Sequence, residues 1–259
     1  MAPQIRKLVL EVSKQAGVGH IGSELSIVEI IASLYGGVMH VPAPTAPERD
    51  RFVLSKGHAA LALYSALHLR GWISQGELFS YCSDGSALGV HPERGLPGID
   101  FATGSLGQGL SVGAGAALAA RLRGLATRVF VLLSDAECNE GAVWEAVMFA
   151  AHHRLGNLTA VIDLNGQQAL GYTDDVLKLS PMAPKWSAFG WEVDEVPGHD
   201  IEQLSAHFSR SRGPEACPRV VIARTTFGKG VSFMEGKVPW HYLPMSDAEY
   251  RVALSEQAG

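Results

Sequence analysis

The stretch from Arg128 to Gly171 constrains this chain most. An unbroken apolar run, Val129-Phe130-Val131-Leu132-Leu133, ends in Ser134-Asp135-Ala136, and a loop through Glu140-Gly141 leads into a helical pattern from Ala142 to Arg154. A second apolar run, Leu158 to Ile162, ends in Asp163-Leu164-Asn165. Short apolar runs bounded by loops, with an amphipathic segment between them, read as strand, helix, strand. That order requires parallel strands and a right-handed crossover, so both strands finish on one sheet edge. If they are neighbours, Asp135 and Asn165 lie side by side at the carboxyl edge, where open α/β sheets bind ligands. A carboxylate and a carboxamide oxygen there suit a hard divalent cation, and Mg²⁺ usually completes its shell with phosphate oxygens.

The rest of the chain repeats the theme. Helical spacing of Ile5, Leu8, Val9, Val12 and Ala16 predicts a first helix ended by Gly17, and the glycine-rich segment 17–23 reads as a loop. A helix is expected from Glu24 to Tyr35, a strand from Arg51 to Leu54, and a helix from Ala59 to Arg70. Ser74 with Glu77 forms a capping box. Gly104 to Gly109 opens a helix of small residues reaching Ala120, a composition that implies close packing on every side. Trp191–Val196 and Val220–Ala223 are further strands, Asp200 with Gln203 caps a helix to Arg212, and Ser246-Asp247-Ala248-Glu249 caps the last. Strands alternating with helices predict an α/β fold with a parallel sheet covered on both faces.

Length and charge narrow the function. At 259 residues and 47% hydrophobic content the chain suits a single domain over 1–259, and a net charge of −5 without a basic run argues against nucleic acid. There is no long apolar span and no signal-peptide pattern, so a soluble cytoplasmic protein is expected. Cys82, Cys138 and Cys217 lie too far apart for metal-type spacing and read as reduced thiols.

Four histidines, His20, His58, His91 and His241, fall in loops or beside element ends, where sites at the edge of a parallel sheet are built. Imidazoles there could bind phosphate, shuttle protons or hold a hydroxylated substrate. A mononuclear zinc hydrolase would also use histidines, but neither HxH nor HExxH spacing is present. The Gly104–Gly109 segment lacks the order of a dinucleotide fingerprint.

Taken together, the motifs resemble a known family. Ser134-Asp135-Ala136-Glu137-x-Asn139-Glu140-Gly141, with Asn165 thirty positions after Asp135, is similar to the thiamine-diphosphate motif that usually reads G-D-G followed by N. Gly19-His20-Ile21-Gly22-Ser23, Ser55-Lys56-Gly57-His58, His91-Pro92-Glu93, Gly104-Ser105-Leu106-Gly107-Gln108-Gly109, Thr226-Phe227-Gly228-Lys229-Gly230 and Trp240-His241 resemble transketolase in the same order. The length is similar to the N-terminal, diphosphate-binding subunit of split bacterial transketolases, so the resemblance implies the three-layer thiamine-diphosphate-binding fold.

The resemblance implies a role for each matched position. Asp135, Asn165 and the Gln167 carbonyl would hold Mg²⁺ (or Ca²⁺) with the cofactor diphosphate. His58, His241 and the main chain at Ala136 would contact the diphosphate, and Glu137, Gly104, Ser105 and Leu106 would lie against the cofactor. His20 and His91 would face the reacting sugars. Glu140 would help orient an activating glutamate across a subunit interface. That glutamate belongs to a pyrimidine-binding domain with no counterpart here, so a C-terminal transketolase-like partner subunit in an α2β2 heterotetramer is expected, with this chain inactive alone. The implied reaction passes a two-carbon ketol unit from a ketose to an aldehyde. Ser134 and Ala136 replace the family's two glycines, which predicts a specialised or weakened cofactor site. A carboligase or acyloin synthase, or a non-catalytic subunit, are the alternative readings.

Overall fold

In the computed structural model, which describes residues 1–210, 212–213 and 216–257, the two central apolar runs are adjacent parallel strands. Seven strands occur among the described residues: β1 Arg51–Leu54, β2 Val129–Ser134, β3 Leu158–Leu164, β4 Gln167–Gln168, β5 Gly171–Tyr172, β6 Glu192–Pro197 and β7 Arg219–Arg224. Five form one sheet in the order β1-β2-β3-β7-β6, parallel throughout, and β4 and β5 form a small antiparallel hairpin. Ser134 pairs with Asp163 in register, so Asp135 and Asn165 leave neighbouring strands at the same edge.

Alternating side chains of each strand enter two separate cores. Phe130 and Leu132 of β2, Val161 of β3 and Val221 of β7 face one core, which contains the helices Ala2–Ala16 and Ala60–Leu69. Val129, Val131, Leu133, Ile162 and Ile222 face the other, under the helices Gly109–Leu122, Gly141–His152 and Met182–Ala188. The chain is therefore a three-layer α/β fold. No helix among the described residues is long and apolar enough to cross a membrane.

Several boundaries depart from the expectations. The loop placed over 17–23 already becomes helix at Ile21, because His20 adopts a left-handed conformation (φ 69°, ψ 4°) and starts the turn Ile21–Leu25. The helix expected over 24–35 is broken into Ile21–Leu25, Val28–Ser33 and a wide turn over Leu34–Val38. At the first break the Ser26 hydroxyl donates to the Ser23 carbonyl, a local bond that competes with helical continuation. The helix after Asp200 stops at Ser209, short of Arg212; Ser211, within the expected span, lies outside the described residues. The small-residue helix Gly109–Leu122 is not enclosed all round: Ser111, Gly115 and Ala119 are exposed along one side. Capping boxes at Ser74/Glu77 and Ser246/Glu249 are present as the sequence predicts.

Candidate functional site

Four of the five parallel strands deliver polar residues to the carboxyl edge. β1 runs into Ser55, Lys56 and His58; β2 into Asp135; β3 into Asp163 and Asn165; β7 into Thr225. Lys56 and Asp163 form a buried ion pair of 2.6 Å, with side chains 1% and 0% exposed. Asp163 Oδ2 also accepts from Ser26 Oγ at 2.7 Å and Asn165 Nδ2 at 2.8 Å, and its Oδ1 accepts from Thr225 Oγ1. Burial alone would raise this carboxyl, but the Lys56 ammonium and the hydroxyl donors hold it below the usual carboxylate range.

That network sets the orientation of Asn165. With Nδ2 committed to Asp163, the amide presents Oδ1, which accepts from Gln167 N at 2.9 Å. Asp135 is also fully buried, but Oδ2 meets only Gly166 N at 2.9 Å and Thr173 Oγ1 at 3.2 Å, and Oδ1 meets Ala136 N at 2.9 Å. No cation pairs with it among the described residues. Burial, and then the neighbouring Asp163 charge, push the Asp135 carboxyl up to about 7. A cavity of about 610 Å³ opens beside Asp135, Asn165, Gly166 and Thr173.

Ser134 does not loosen this turn. Its hydroxyl accepts from Glu137 N at 3.1 Å, and Glu137 Oε2 accepts from Ser134 N at 3.1 Å, a reciprocal pair of the capping-box kind. Ala136 is unstrained, because the non-glycine residues with positive φ among those described are His20, Cys82 and Arg154. Glu137, expected against the cofactor, is fully buried, and its Oε1 is taken by Ser55 Oγ at 2.6 Å and Gly107 N at 2.9 Å. Its carboxylate joins three loops through these bonds, which leaves the Glu137 main chain as the candidate cofactor contact.

Three of the four histidines converge. The ring centroids of His20, His58 and His241 lie 5.3, 5.6 and 5.4 Å apart, and His241 stacks on Phe227 at 5.6 Å. Distant segments meet here because Gly19 and Gly22, on either side of His20 and Ile21, carry no side chain. A Cβ on Gly19 would sit 2.3 Å from the Tyr242 carbonyl oxygen, and one on Gly22 2.1 Å from the Phe227 ring. The His20 amide donates to the His241 carbonyl at 3.1 Å, closing the contact. Burial, with the Lys56 and mutual histidine charges, lowers all three imidazoles, His58 well below its usual value and His241 to about 4. They are neutral near pH 7, each able to donate from one nitrogen and accept at the other. His20 Nδ1 and His241 Nδ1 are buried without a partner.

The remaining expected residues surround this cluster. His91 packs on Gly104, where an added Cβ would lie 3.2 Å from its ring. Ser105 and Leu106 are exposed on the next turn, Leu106 to 40%. Glu140 is exposed, and Gly107 lies so close that a Cβ there would stand 2.6 Å from the Glu140 Cβ. Gln167 enters the β4–β5 hairpin with its side-chain oxygen buried and unpartnered. Sequence reasoning did not assign roles to Lys56, Asp163, Ser26, Thr173 or Thr225. The available signal was a charge ending each of two apolar stretches, Lys56 after β1 and Asp163 within β3.

The comparisons with known proteins agree with this geometry. The family model for the transketolase thiamine diphosphate binding domain matches residues 1–258. The chain is 40% identical over 255 residues to the 6-deoxy-6-sulfo-D-fructose transketolase subunit SqwG of Clostridium sp. (strain MSTE9), covering 97% of this chain and 93% of that protein. It is 40% identical over 253 residues to a subunit of the apulose-4-phosphate transketolase of Phocaeicola vulgatus, covering 97% of this chain and 90% of that one. Among solved structures, transketolase from Campylobacter jejuni superposes with a TM-score of 0.91 at 30% identity, covering 99% of this chain and 42% of that one. The chain thus spans nearly all of the two subunits and under half of the longer transketolase. With the match running over residues 1–258, the chain belongs to the transketolase thiamine diphosphate binding domain family.

Proposed function

We propose that this chain is the diphosphate- and magnesium-binding subunit of a heteromeric transketolase that moves a two-carbon ketol unit from a ketose to an aldehyde. The observation that carries the reading is the junction of two half-sites at one sheet edge. Asp135 and Asn165 offer oxygens, the three neutral histidines offer ring nitrogens, and the Lys56–Asp163 pair lies between them. The donor set fits the groups it would receive. Asp135 is a buried carboxylate without a countercharge, and no group of three His, Cys, Asp or Glu side chains among the described residues is placed to hold a metal ion by itself. That combination suits a hard cation whose shell is completed by phosphate oxygens better than a zinc site.

When bound, thiamine diphosphate would supply the carbanion chemistry of ketol transfer. The chain's own residues would bind and orient. Asp135, the Asn165 amide oxygen and the Gln167 carbonyl would hold Mg²⁺ against the diphosphate. His58, His241 and the main-chain N–H groups at Ala136 and Glu137 would donate to its oxygens. Gly104, Ser105 and Leu106 would form one wall, held against the His58 loop by the close approach of Gly57 to Thr103 and Gly104. His20 and His91 would exchange protons with the sugar hydroxyls, a general acid–base role that imidazole suits. Glu140, exposed beside Gly107, would reach across to the partner subunit.

The open side of the helix Gly109–Leu122 and the exposed Leu106, Met148 and Phe149 favour an α2β2 assembly with a pyrimidine-domain partner. The reciprocal Ser134–Glu137 bonds and the unstrained Ala136 support an intact cofactor site over a degenerate one. The test is reconstitution. The purified chain should show no ketol transfer alone and gain it with a pyrimidine-domain partner, Mg²⁺ and thiamine diphosphate. Calorimetry on the complex should show metal-dependent cofactor uptake that Asp135→Ala abolishes. Turnover by the chain alone, or unchanged uptake in the variant, would refute the assignment.

A further inference from the structure

We propose that the opposite, amino edge of the sheet carries a second binding site, for a hydroxylated phosphate monoester. β2 has six residues, so this edge lies about 20 Å from Asp135. A cavity of about 490 Å³ opens there, and five arginines from four stretches of the chain line it, Arg121, Arg128, Arg210 with Arg212, and Arg219, together with Phe208. No carboxylate lines it among the described residues. Such a concentration is unexpected in a chain of net charge −5.

The neighbouring acids only partly balance the arginines. Asp50 takes Arg128 at 2.6 Å, Asp194 takes Arg210 at 3.0 Å, and Glu192 is shared between Arg210 at 3.0 Å and Arg212 at 2.6 Å. Arg121 reaches only the carbonyls of His153 and Arg154, with no ion pair among the described residues. Arg219 is 1% exposed, and its terminal nitrogens are used by the carbonyls of His207 and Arg210. Its Nε has no hydrogen-bond partner, since the nearest carboxylate, on Glu192, is 3.9 Å away. Burial and the adjacent Arg212 charge both work against its proton. A buried guanidinium whose Nε–H lacks a hydrogen bond, lining the same cavity as an Arg121 without an ion pair, is a site that an anion completes.

The same cavity specifies more than charge. Asn157 lines it and spends both hydrogens of its amide nitrogen on the carbonyls of Ala117 and Thr127, leaving Oδ1 buried without a donor. That oxygen asks for a hydroxyl. Phe130 and Phe208, meeting edge to face at 6.1 Å, supply an apolar wall for a carbon skeleton. A phosphate group on the arginines, with a hydroxyl reaching Asn157, meets all three demands.

The test is calorimetric titration of the purified chain with glycerol 3-phosphate, in the presence of saturating magnesium and thiamine diphosphate. Saturable binding is expected. Arg121→Gln and the more exposed Arg210→Gln should each weaken it about tenfold, with their folding checked by thermal melts. Arg123→Gln, an exposed arginine outside the cavity, should leave it unchanged, and so should His20→Ala at the opposite edge. Absence of saturable binding overturns the proposal. So does equal affinity in folded Arg121→Gln and Arg210→Gln, or loss of binding in His20→Ala, which would place the probe among the histidines.

Discussion

Asp135 and Asp163 end or follow neighbouring strands, both are fully buried, and their surroundings are opposite. Asp163 has an ammonium, two hydroxyls and an amide directed at it, and is held ionised. Asp135 has two backbone N–H groups and one hydroxyl, no cation, and a carboxyl pushed up to about 7. The first is a structural pin whose charge is already neutralised by the fold. The second is left short of one positive charge, which is what the proposed role as a magnesium ligand asks of it.

The largest expected effect breaks the pin. Lys56→Met leaves Asp163 buried and uncompensated and should lower the unfolding free energy by about 3–5 kcal/mol in urea titrations; a variant as stable as the parent would erase the contrast. A smaller effect with the reverse sign is expected at Asp135. Its folded pKa lies above the unfolded value, so its contribution weakens as pH rises from about 4 to about 7. At pH 8, without metal, Asp135→Asn should therefore raise stability by on the order of 1–3 kcal/mol, and the gain should vanish near pH 4. Asp163, with its lowered pKa, should instead lose its contribution only as pH falls below about 4. Equal pH slopes for Asp135→Asn and the parent would remove the distinction.

The smallest effect sharpens the comparison by isolating the histidines. His241, lowered to about 4, stays neutral in the folded chain while the unfolded chain takes a proton below about 6.5. The parent should lose on the order of 1–2 kcal/mol as pH falls through that window. His241→Phe, which keeps a ring against Phe227, should lack that component, and an unaltered pH profile would show that His241 titrates as it does in the unfolded chain.

Much of this arrangement is legible in the chain because it follows from local pattern. Apolar runs ending in Asp135 and near Asn165 dictate strands, and a helix between them dictates parallel neighbours with a shared edge. The histidine loops are visible as glycine-flanked breaks between elements. The difference between Asp135 and Asp163 is not visible, because each looks like a carboxylate closing an apolar run. What separates them is Lys56, 107 positions away from Asp163. The break at Ser26 was hidden for the same reason, since its hydroxyl serves Asp163, 137 positions on. Glu137 reads from sequence as a motif residue near a ligand, and only the placement of Ser55 and Gly107 shows its carboxylate already committed. The hairpin Gln167–Tyr172 is too short to carry a periodic signal.

His20 adds a consequence of another kind. Its left-handed main chain, the one such non-glycine conformation within the histidine cluster among the described residues, costs about 1–3 kcal/mol. In exchange, the direction of the imidazole is set by the backbone as well as by side-chain torsions. The ring is also packed against His58, His241 and Tyr242, so a ligand arriving there loses little conformational entropy in aligning it. Recognition at this edge should therefore resemble docking to a rigid template more than the gathering of mobile side chains.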